Sequence, residues 1–445
     1  MNQKIKHLRT PIYIALIFSF ATVFLFEFGS YDYPEINRGK LYLFLLCANL
    51  AMIVGFCLGT LWKLPDIREK KAFPIEGFLR FLFWVALISC VPKFALYTGI
   101  YDFDPQTIVS KALEFFSNAQ DIYSERQDWE NVTGVWKYIN YGVVIAGPFY
   151  WAYTPLAIMY WNKLKTWRKI ATLGIWFLYL LQYMCTGTNV GFFDFFITLW
   201  VVNLVKRKIL STQKKSSADK EKKKSVLIIT VAVIIVLIMV FGIIMGSRIG
   251  HQYTNGVKVG NYMCPYNPDS LVNSVLPSFL EPMAGYFTRY VAQAYNALAM
   301  AFDMPFETTY GVGHSWFILD NMGSMSDEMW SRTYNMKLDR LMGYNYYGNW
   351  HTSYLWFAND VSIFGVPVVF LVLFTLFGRC WKEFVCNKNL ISFLMFMIFV
   401  KLVTYISANN QVFMNSDTLF AFWVLIAALV LISSNYSWGE VKVEI

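Results

Sequence analysis

An all-α, polytopic membrane protein of about ten transmembrane helices is the fold class this sequence predicts, and three observations carry it. Apolar side chains make up 56% of the 445 residues against 15% charged, at a mean hydropathy of +0.41, far more apolar surface than a soluble domain of this length needs. Apolar stretches of about 18 residues or more, enough for a helix to cross roughly 30 Å of hydrocarbon, recur from end to end. The basic residues behind the net charge of +9 sit in short segments between those stretches, where they set topology; this argues against nucleic-acid binding.

A basic start, MNQKIKHLRT, precedes the first run, Pro11 to Gly29, which is long and lacks a small-residue cleavage site, so it reads as a retained anchor rather than a signal peptide. The second run, Leu41 to Trp62, leads into Lys63, Arg68, Lys70 and Lys71, a cytoplasmic loop by the positive-inside rule. The third, Phe81 to Gly99, opens on a loop where acids (Asp102, Asp104, Glu114, Asp121, Glu125, Asp128, Glu130) outnumber Lys111 and Arg126, hence external. The fourth ends near Trp161, and the fifth and sixth form a hairpin turning at Thr186-Gly187-Thr188-Asn189. The most basic segment, 206–224, is a cytoplasmic topogenic loop that also suits anionic lipid heads, and the seventh run, Val226 to Gly246, crosses outward. The eighth run begins within 349–365 and ends at Arg379, Lys382 and Lys388; the ninth covers Ile391 to Ser407 and the tenth Leu419 to Ile432, which leaves both termini cytoplasmic.

Three regions result: an N-terminal bundle of about seven helices over 1–246, a large external loop over 247–352, and about three C-terminal helices over 353–445. A loop of roughly a hundred residues exceeds any connection's need and points to function. Within it GYFTRYVAQAYNALAMAF, 285–302, has helical apolar spacing around Arg289 and predicts an amphipathic helix at the membrane surface. Of the seven cysteines only Cys264 is external, so no disulfide framework forms there. No CxxC or HExxH spacing and no P-loop or dinucleotide glycine pattern is present, which argues against a pump or a nicotinamide enzyme.

What remains is a set of polar residues at one face of the membrane. Arg248 follows the seventh run and Arg289 lies on the predicted amphipathic helix. Either suits plain headgroup snorkelling; together, two guanidinium forks suit a lipid diphosphate. His314, in YGVGHS, also fits an ordinary glycine-flanked turn. The stretch NWHTSYLWFANDVSIFG, 349–365, carries His351, Thr352 and Asp360 from the loop into the eighth run. Trp350, Tyr346 and Tyr347 suit sugar stacking or interfacial anchoring alike. Asp102 and Asp104 have the spacing of a metal pair for diphosphate-sugar donors, a pattern that arises easily in so acidic a loop, and no metal or other cofactor is expected.

With these residues in view, the chain resembles the bacterial oligosaccharide repeat-unit polymerases of the O-antigen polymerase type. The likeness lies in the many helices, the long loop in the C-terminal half, the element Tyr310-Gly311-Val312-Gly313, and Asn349, Thr352, Asp360 and Gly365 entering the next helix. His351, Leu355, Asp360 and Gly365 are also similar to the re-entry motif of the related O-antigen ligases. Two positions depart from the pattern: Ser362 stands where the polymerases often have glycine, and Asn189 where they often have arginine.

The resemblance implies a GT-C-like fold in the bacterial inner membrane with a periplasmic active face. It also implies undecaprenyl-diphosphate-linked oligosaccharides as donor and acceptor, no metal, and a chain-length regulator and a flippase as further partners. In that frame Arg248 and Arg289 would stabilise the leaving diphosphate and His351 would serve as base. Tyr310, His314, Asn349, Trp350 and Thr352 would bind substrate. Asp360, nine residues after His351, falls about 13 Å deeper on the opposite face of a regular helix, and so reads as a supporting tether with Lys401 or Lys93 as its expected partner. A lipid-oligosaccharide transporter is the non-enzymatic alternative; it would show internal repeats and mid-membrane polar residues, whereas here the polar residues gather at the external face.

Overall fold

The computed structural model describes residues 8–63, 71–127, 133–211, 239, 241–242, 245–246, 250–346, 348–432 and 436–437. Arg248, Tyr347 and most of the seventh run lie outside them. In chain order the helices are α1 (Thr10–Phe28), α2 (Arg38–Leu61), α3 (Ile75–Thr98), α4 (Pro105–Gln127), α5 (Val135–Met159), α6 (Thr166–Met184) and α7 (Val190–Ser211). A hairpin of β1 (Val257–Val259) and β2 (Tyr262–Cys264) follows, then α8 (Leu271–Val275), α9 (Glu281–Ala292), α10 (Ala294–Ala301), α11 (Trp316–Asp320), α12 (Ser326–Arg332) and α13 (Tyr334–Met342). The chain closes with α14 (Ser353–Asn387), α15 (Leu390–Tyr405), α16 (Gln411–Met414) and α17 (Ser416–Leu431). Among the described residues α1, α2, α3, α5 and α14 are long and apolar enough to cross a membrane, and α15 and α17 are shorter apolar helices.

The chain forms two compact units, one of Met1–Lys71 with His251–Trp438, the other of Ala72–Gly250 with Gly439–Ile445. In the second unit α3, α5, α6 and α7 pack together, and the turn between α6 and α7 rests at Gly187 on the backbone of Ala119 in α4. Asp104 sits just before α4, where its carboxylate accepts the Thr107 N–H at 2.9 Å and the Thr107 hydroxyl at 2.6 Å. That is the work of a helix cap, and it accounts for the aspartate spacing in this loop. The same bonds hold the Asp104 carboxyl below its ordinary pKa.

The first unit is organised on α2 and α14, its most extensive helix contact. Gly55 and Gly59 on α2 and Gly378 on α14 bring the two backbones together: a methyl group at Gly59 would collide with the Thr375 carbonyl, and one at Gly378 with the Phe56 carbonyl. Small residues at such spacing let helices associate by close packing where apolar burial alone gives no preference. At the end of this pair Lys382 donates to the Trp62 carbonyl at 2.7 Å and the Arg379 guanidinium lies 5.2 Å from the Trp62 ring.

One expectation is corrected here. The segment 285–302 is two helices broken at Gln293, and every residue of α10 is buried, from Ala294 at 0% to Ala301 at 1% exposure. Alanines at 294, 297, 299 and 301 let neighbours approach on all sides, so this helix is core rather than a surface float. The helix is regular through Asp360, as expected, and α14 breaks only at Ser362, whose φ of 65° and ψ of 165° belong to a region that only glycine occupies without strain. The stretch 363–387 spans roughly 37 Å on its own at about 1.5 Å per residue. Residues 353–361 therefore form a separate short helix that ends one residue past Asp360, so the rise expected from the start of the helix to that carboxylate holds while the long span begins only after it. Pro367, four residues past Ile363, removes a further helix bond at the break.

Ser362→Gly is expected to raise stability by about 1 kcal/mol, because it relieves a strained conformation that costs on the order of 1–3 kcal/mol. The check is the unfolding temperature in detergent; an unchanged or lower value would show that the break is not strained.

Candidate functional site

The break at Ser362 leaves carbonyls at the end of the short helix without their usual partners. Neighbouring threonines supply them: the Thr309 N–H and hydroxyl donate to the Asn359 carbonyl at 3.2 and 2.9 Å, and the Thr308 hydroxyl donates to the Asp360 carbonyl at 3.1 Å. The loop from Thr308 to Ser315 is thereby laid over the helix end.

At its centre stands the Asp360 carboxylate. Oδ1 accepts from the Thr309 hydroxyl at 2.5 Å and from the N–H groups of Gly311 at 3.0 Å and Gly313 at 2.8 Å. Oδ2 accepts from the His314 N–H at 3.1 Å and lies 2.9 Å from His314 Nδ1. None of these partners is Lys401 or Lys93; the expected tether runs instead to the Tyr310-Gly-Val-Gly-His loop. Gly313 has no room for a side chain, since a methyl group would strike the Thr309 hydroxyl, and Gly311 takes a φ of 87°. Tyr310 takes a φ of 55°, so non-glycine residues with left-handed backbone stand at both edges of the site, Tyr310 and Ser362. Such strain persists only where surrounding bonds over-determine it.

Asn359, fully buried, completes the frame. Its amide donates to the Gly313 carbonyl at 3.0 Å and to Asn335 Oδ1 at 2.9 Å, while its own Oδ1 accepts the Tyr334 N–H at 2.8 Å. The Asn410 amide donates to the His314 carbonyl at 2.9 Å, and the Ser315 hydroxyl to the Phe413 carbonyl at 2.6 Å.

The imidazole of His314 stacks on Phe357 at 5.8 Å and meets Phe413 edge-on at 5.0 Å. Its side chain keeps 13% exposure against 10% for Asp360. With Nδ1–H donated to the carboxylate, Nε2 carries the lone pair, and no described residue bonds to it. This is the arrangement of a base held in one tautomer by an acid. Beside it Tyr310 is 71% exposed, with the Arg332 guanidinium 5.3 Å from its ring and bonded to Glu328 at 2.5 Å.

His351 is placed differently. It is 2% exposed, packed against Tyr344 at 4.9 Å and Trp356 at 6.3 Å, and neither ring nitrogen has a hydrogen-bond partner among the described residues. A base within reach of an acceptor hydroxyl, the role expected of His351, is not what this burial provides. Burial holds its pKa down at about 3. Because the unfolded chain takes up a proton near 6.5 and the folded one does not, stability is constant above about 6.5 and falls by about 1.4 kcal/mol per pH unit on acidification towards 3. Between pH 7 and pH 5 the wild-type chain should therefore lose about 2 kcal/mol relative to His351→Leu, read as a pH-dependent gap in unfolding temperature. A gap independent of pH would mean that the imidazole is solvated.

Thr352, expected at the substrate surface, is buried and caps α14, its hydroxyl accepting the Leu355 N–H at 3.1 Å. Trp350 packs on Tyr290 at 5.3 Å, and its carbonyl accepts the Tyr344 hydroxyl at 2.7 Å; Asn349 bonds back to the Asn345 carbonyl at 2.9 Å. Arg289, next to Tyr290 on α9, is half-buried within electrostatic reach of the phenols of Tyr31, Tyr33 and Tyr344. Among the described residues no carboxylate pairs with it. The Tyr33 hydroxyl and that of Thr288, adjacent to Arg289 in sequence, are buried without hydrogen-bond partners among the described residues. A guanidinium with unspent donors around it suits an anion.

Of the residues singled out from sequence, the first unit joins His314 and Asp360 directly, carries Tyr310 in the same loop, and gathers Arg289, Trp350 and His351 through Tyr290 and Tyr344. Thr309, Asn335, Asn359, Arg332 and Asn410 went unassigned; an Asn-Asp pair inside an apolar run was the one local signal. Among the described residues no three His, Cys, Asp or Glu side chains gather as a metal site. Compared with family models, with curated proteins and with solved structures, the chain matches none.

Proposed function

We propose that the chain polymerises undecaprenyl-diphosphate-linked oligosaccharide repeat units into a surface polysaccharide of the O-antigen kind, at the periplasmic face of a bacterial inner membrane. The observation that carries this reading is the meeting of its two motif segments at one carboxylate: Asp360 of the re-entry motif takes five hydrogen bonds from Thr309, Gly311, Gly313 and His314. Motifs that resemble one family separately are here parts of one site.

The chemistry follows from the groups available. An acceptor hydroxyl gives its proton to His314 Nε2 as its oxygen bonds to the anomeric carbon of the donor, and the bond to the lipid diphosphate breaks. The imidazolium that forms is stabilised by Asp360. Negative charge grows on the departing diphosphate, which Arg289 and neighbouring hydroxyls meet with charge-assisted hydrogen bonds. The role of base, first given to His351, thus passes to the imidazole that has a carboxylate beside it.

Purified protein given defined lipid-linked repeats should extend them into a ladder, with chelator making no difference. Absence of extension under both conditions removes the reading. In cells lacking the protein, lipopolysaccharide cores carrying one repeat support polymerisation, whereas complete loss of capping supports the ligase reading that the shared re-entry motif also allows. Accumulation of single lipid-linked repeats on the cytoplasmic side would favour a transporter.

A further inference from the structure

Two residues after His314 the chain enters α11, which carries Trp316 and Asp320 four residues apart and so on one face. The Trp316 indole N–H donates to Asp320 Oδ2, and the Trp330 indole N–H donates to Oδ1 at 3.0 Å. One carboxylate thereby fixes two ring planes, which meet at 74° with centroids 4.9 Å apart. Trp316 also stacks on Tyr346 at 5.6 Å and 26°. Beneath them Trp330 and Trp356 are buried at 6% and 1% exposure, while Trp316 and Tyr346 remain partly exposed and Asp320 is exposed.

For packing alone this is an uneconomical arrangement. An indole N–H at a protein surface is satisfied by water, and a carboxylate there is solvated without help. A charged acceptor set between two indoles and still open to solvent has a property that packing does not use. Its oxygens offer about four lone-pair positions, and the indoles occupy two. The remaining two, beside a partly exposed ring whose plane is fixed, match a sugar: ring C–H groups lie on an aromatic face while adjacent hydroxyls donate to the carboxylate. The location agrees with this. Trp316 and His314 have Cα atoms no more than about 8 Å apart, and a second exposed ring, Tyr310, lies on the other side of His314 in the loop.

We propose that Trp316, oriented by Asp320, is a sugar-binding platform that holds the acceptor glycan beside His314. This rests on the polymerase reading, and it assigns the site a ligand class, a neutral or hydroxyl-rich hexose unit at the non-reducing end of the acceptor repeat.

The test is calorimetric titration of the detergent-solubilised full chain with the repeat-unit oligosaccharide released from the host's own surface polysaccharide, beside steady-state polymerisation of the same repeat on its lipid. Trp316→Leu and Asp320→Asn should each weaken oligosaccharide binding by about tenfold or more, equivalent to about 1.4 kcal/mol. Acceptor KM should rise more than kcat falls. Trp316→Phe, which keeps a ring and its packing but lacks the N–H, should lie between them and the wild type; if Trp316→Leu does not fold, Trp316→Phe and Asp320→Asn decide. Wild-type protein that does not bind the oligosaccharide, or folded variants that bind as tightly as wild type with unchanged acceptor KM, would overturn the platform. Binding that responds to these variants in a protein that makes no polymer would overturn the polymerase reading and leave the platform standing.

Discussion

Asp360→Asn should leave a folded, inserted protein that makes no long glycan chains, with kcat lower by about 10² to 10⁴. The carboxylate serves two sets of donors at once: Thr309, Gly311 and Gly313 at one oxygen, and both His314 N–H and Nδ1 at the other. An amide keeps one oxygen. If that oxygen stays with the three donors, its NH₂ faces His314, where Nδ1 must then accept rather than donate. The imidazole changes tautomer, Nε2 carries the proton and the base is lost, at the further cost of leaving the His314 N–H without its acceptor. Asp360→Ala goes further, because it strands all the donors; it should cost about 3 kcal/mol or more of stability, at about 1–3 kcal/mol for each buried group left unpaired. Thr309→Val, which removes the hydroxyl shared between the Asn359 carbonyl and Asp360 Oδ1 and spares the dyad, should lose stability while keeping most activity. Chain-length ladders from complemented cells and unfolding temperatures in detergent separate these effects. A normal ladder from Asp360→Asn would show that the His314 tautomer has no part in the reaction.

How much of this was open to a reader of the sequence depends on the range of the forces involved. Helices such as Thr10–Phe28 and Arg38–Leu61 announce themselves because crossing hydrocarbon is a local requirement, met by length and composition alone. The break in α14 is hardly visible: serine carries no signal for positive φ, and Gly365 and Pro367 hint at irregularity several residues late. Segment 294–301 misleads because alanine, asparagine and tyrosine at helical spacing describe a surface helix and a small-residue core helix equally well. The His314–Asp360 contact joins residues 46 apart, and no local pattern encodes it. His351 shows the converse. Its place before an apolar run suggested a base within reach of an acceptor hydroxyl, but burial is decided by Tyr344 and Trp356 closing over it. Arg289 stayed legible because a charge in an apolar-aromatic segment is costly wherever it lies.

That cost is the basis of the other large effect. Arg289→Ala is expected to leave the protein inserted and at least as stable as wild type, yet to abolish long chains, with kcat down by about 10² to 10³. A half-buried guanidinium with phenols within reach and no described carboxylate beside it is a poor contributor to folding, since no ion pair among the described residues offsets its desolvation. Selection for stability alone would have paired it or replaced it. On the polymerase reading, an anion that arrives with the substrate and gains charge as the sugar bond breaks would supply the missing partner, and the Tyr33 hydroxyl, which has no hydrogen-bond partner among the described residues, would donate alongside. Arg289→Lys keeps the charge but loses the planar fork, so it should retain partial activity with a larger defect in donor KM than in stability. Combined loss of stability and activity in Arg289→Ala would make the arginine a structural group, and a normal ladder would move the leaving-group role to another cation. A stable, inactive protein, by contrast, is the outcome expected of a charge kept for its substrate.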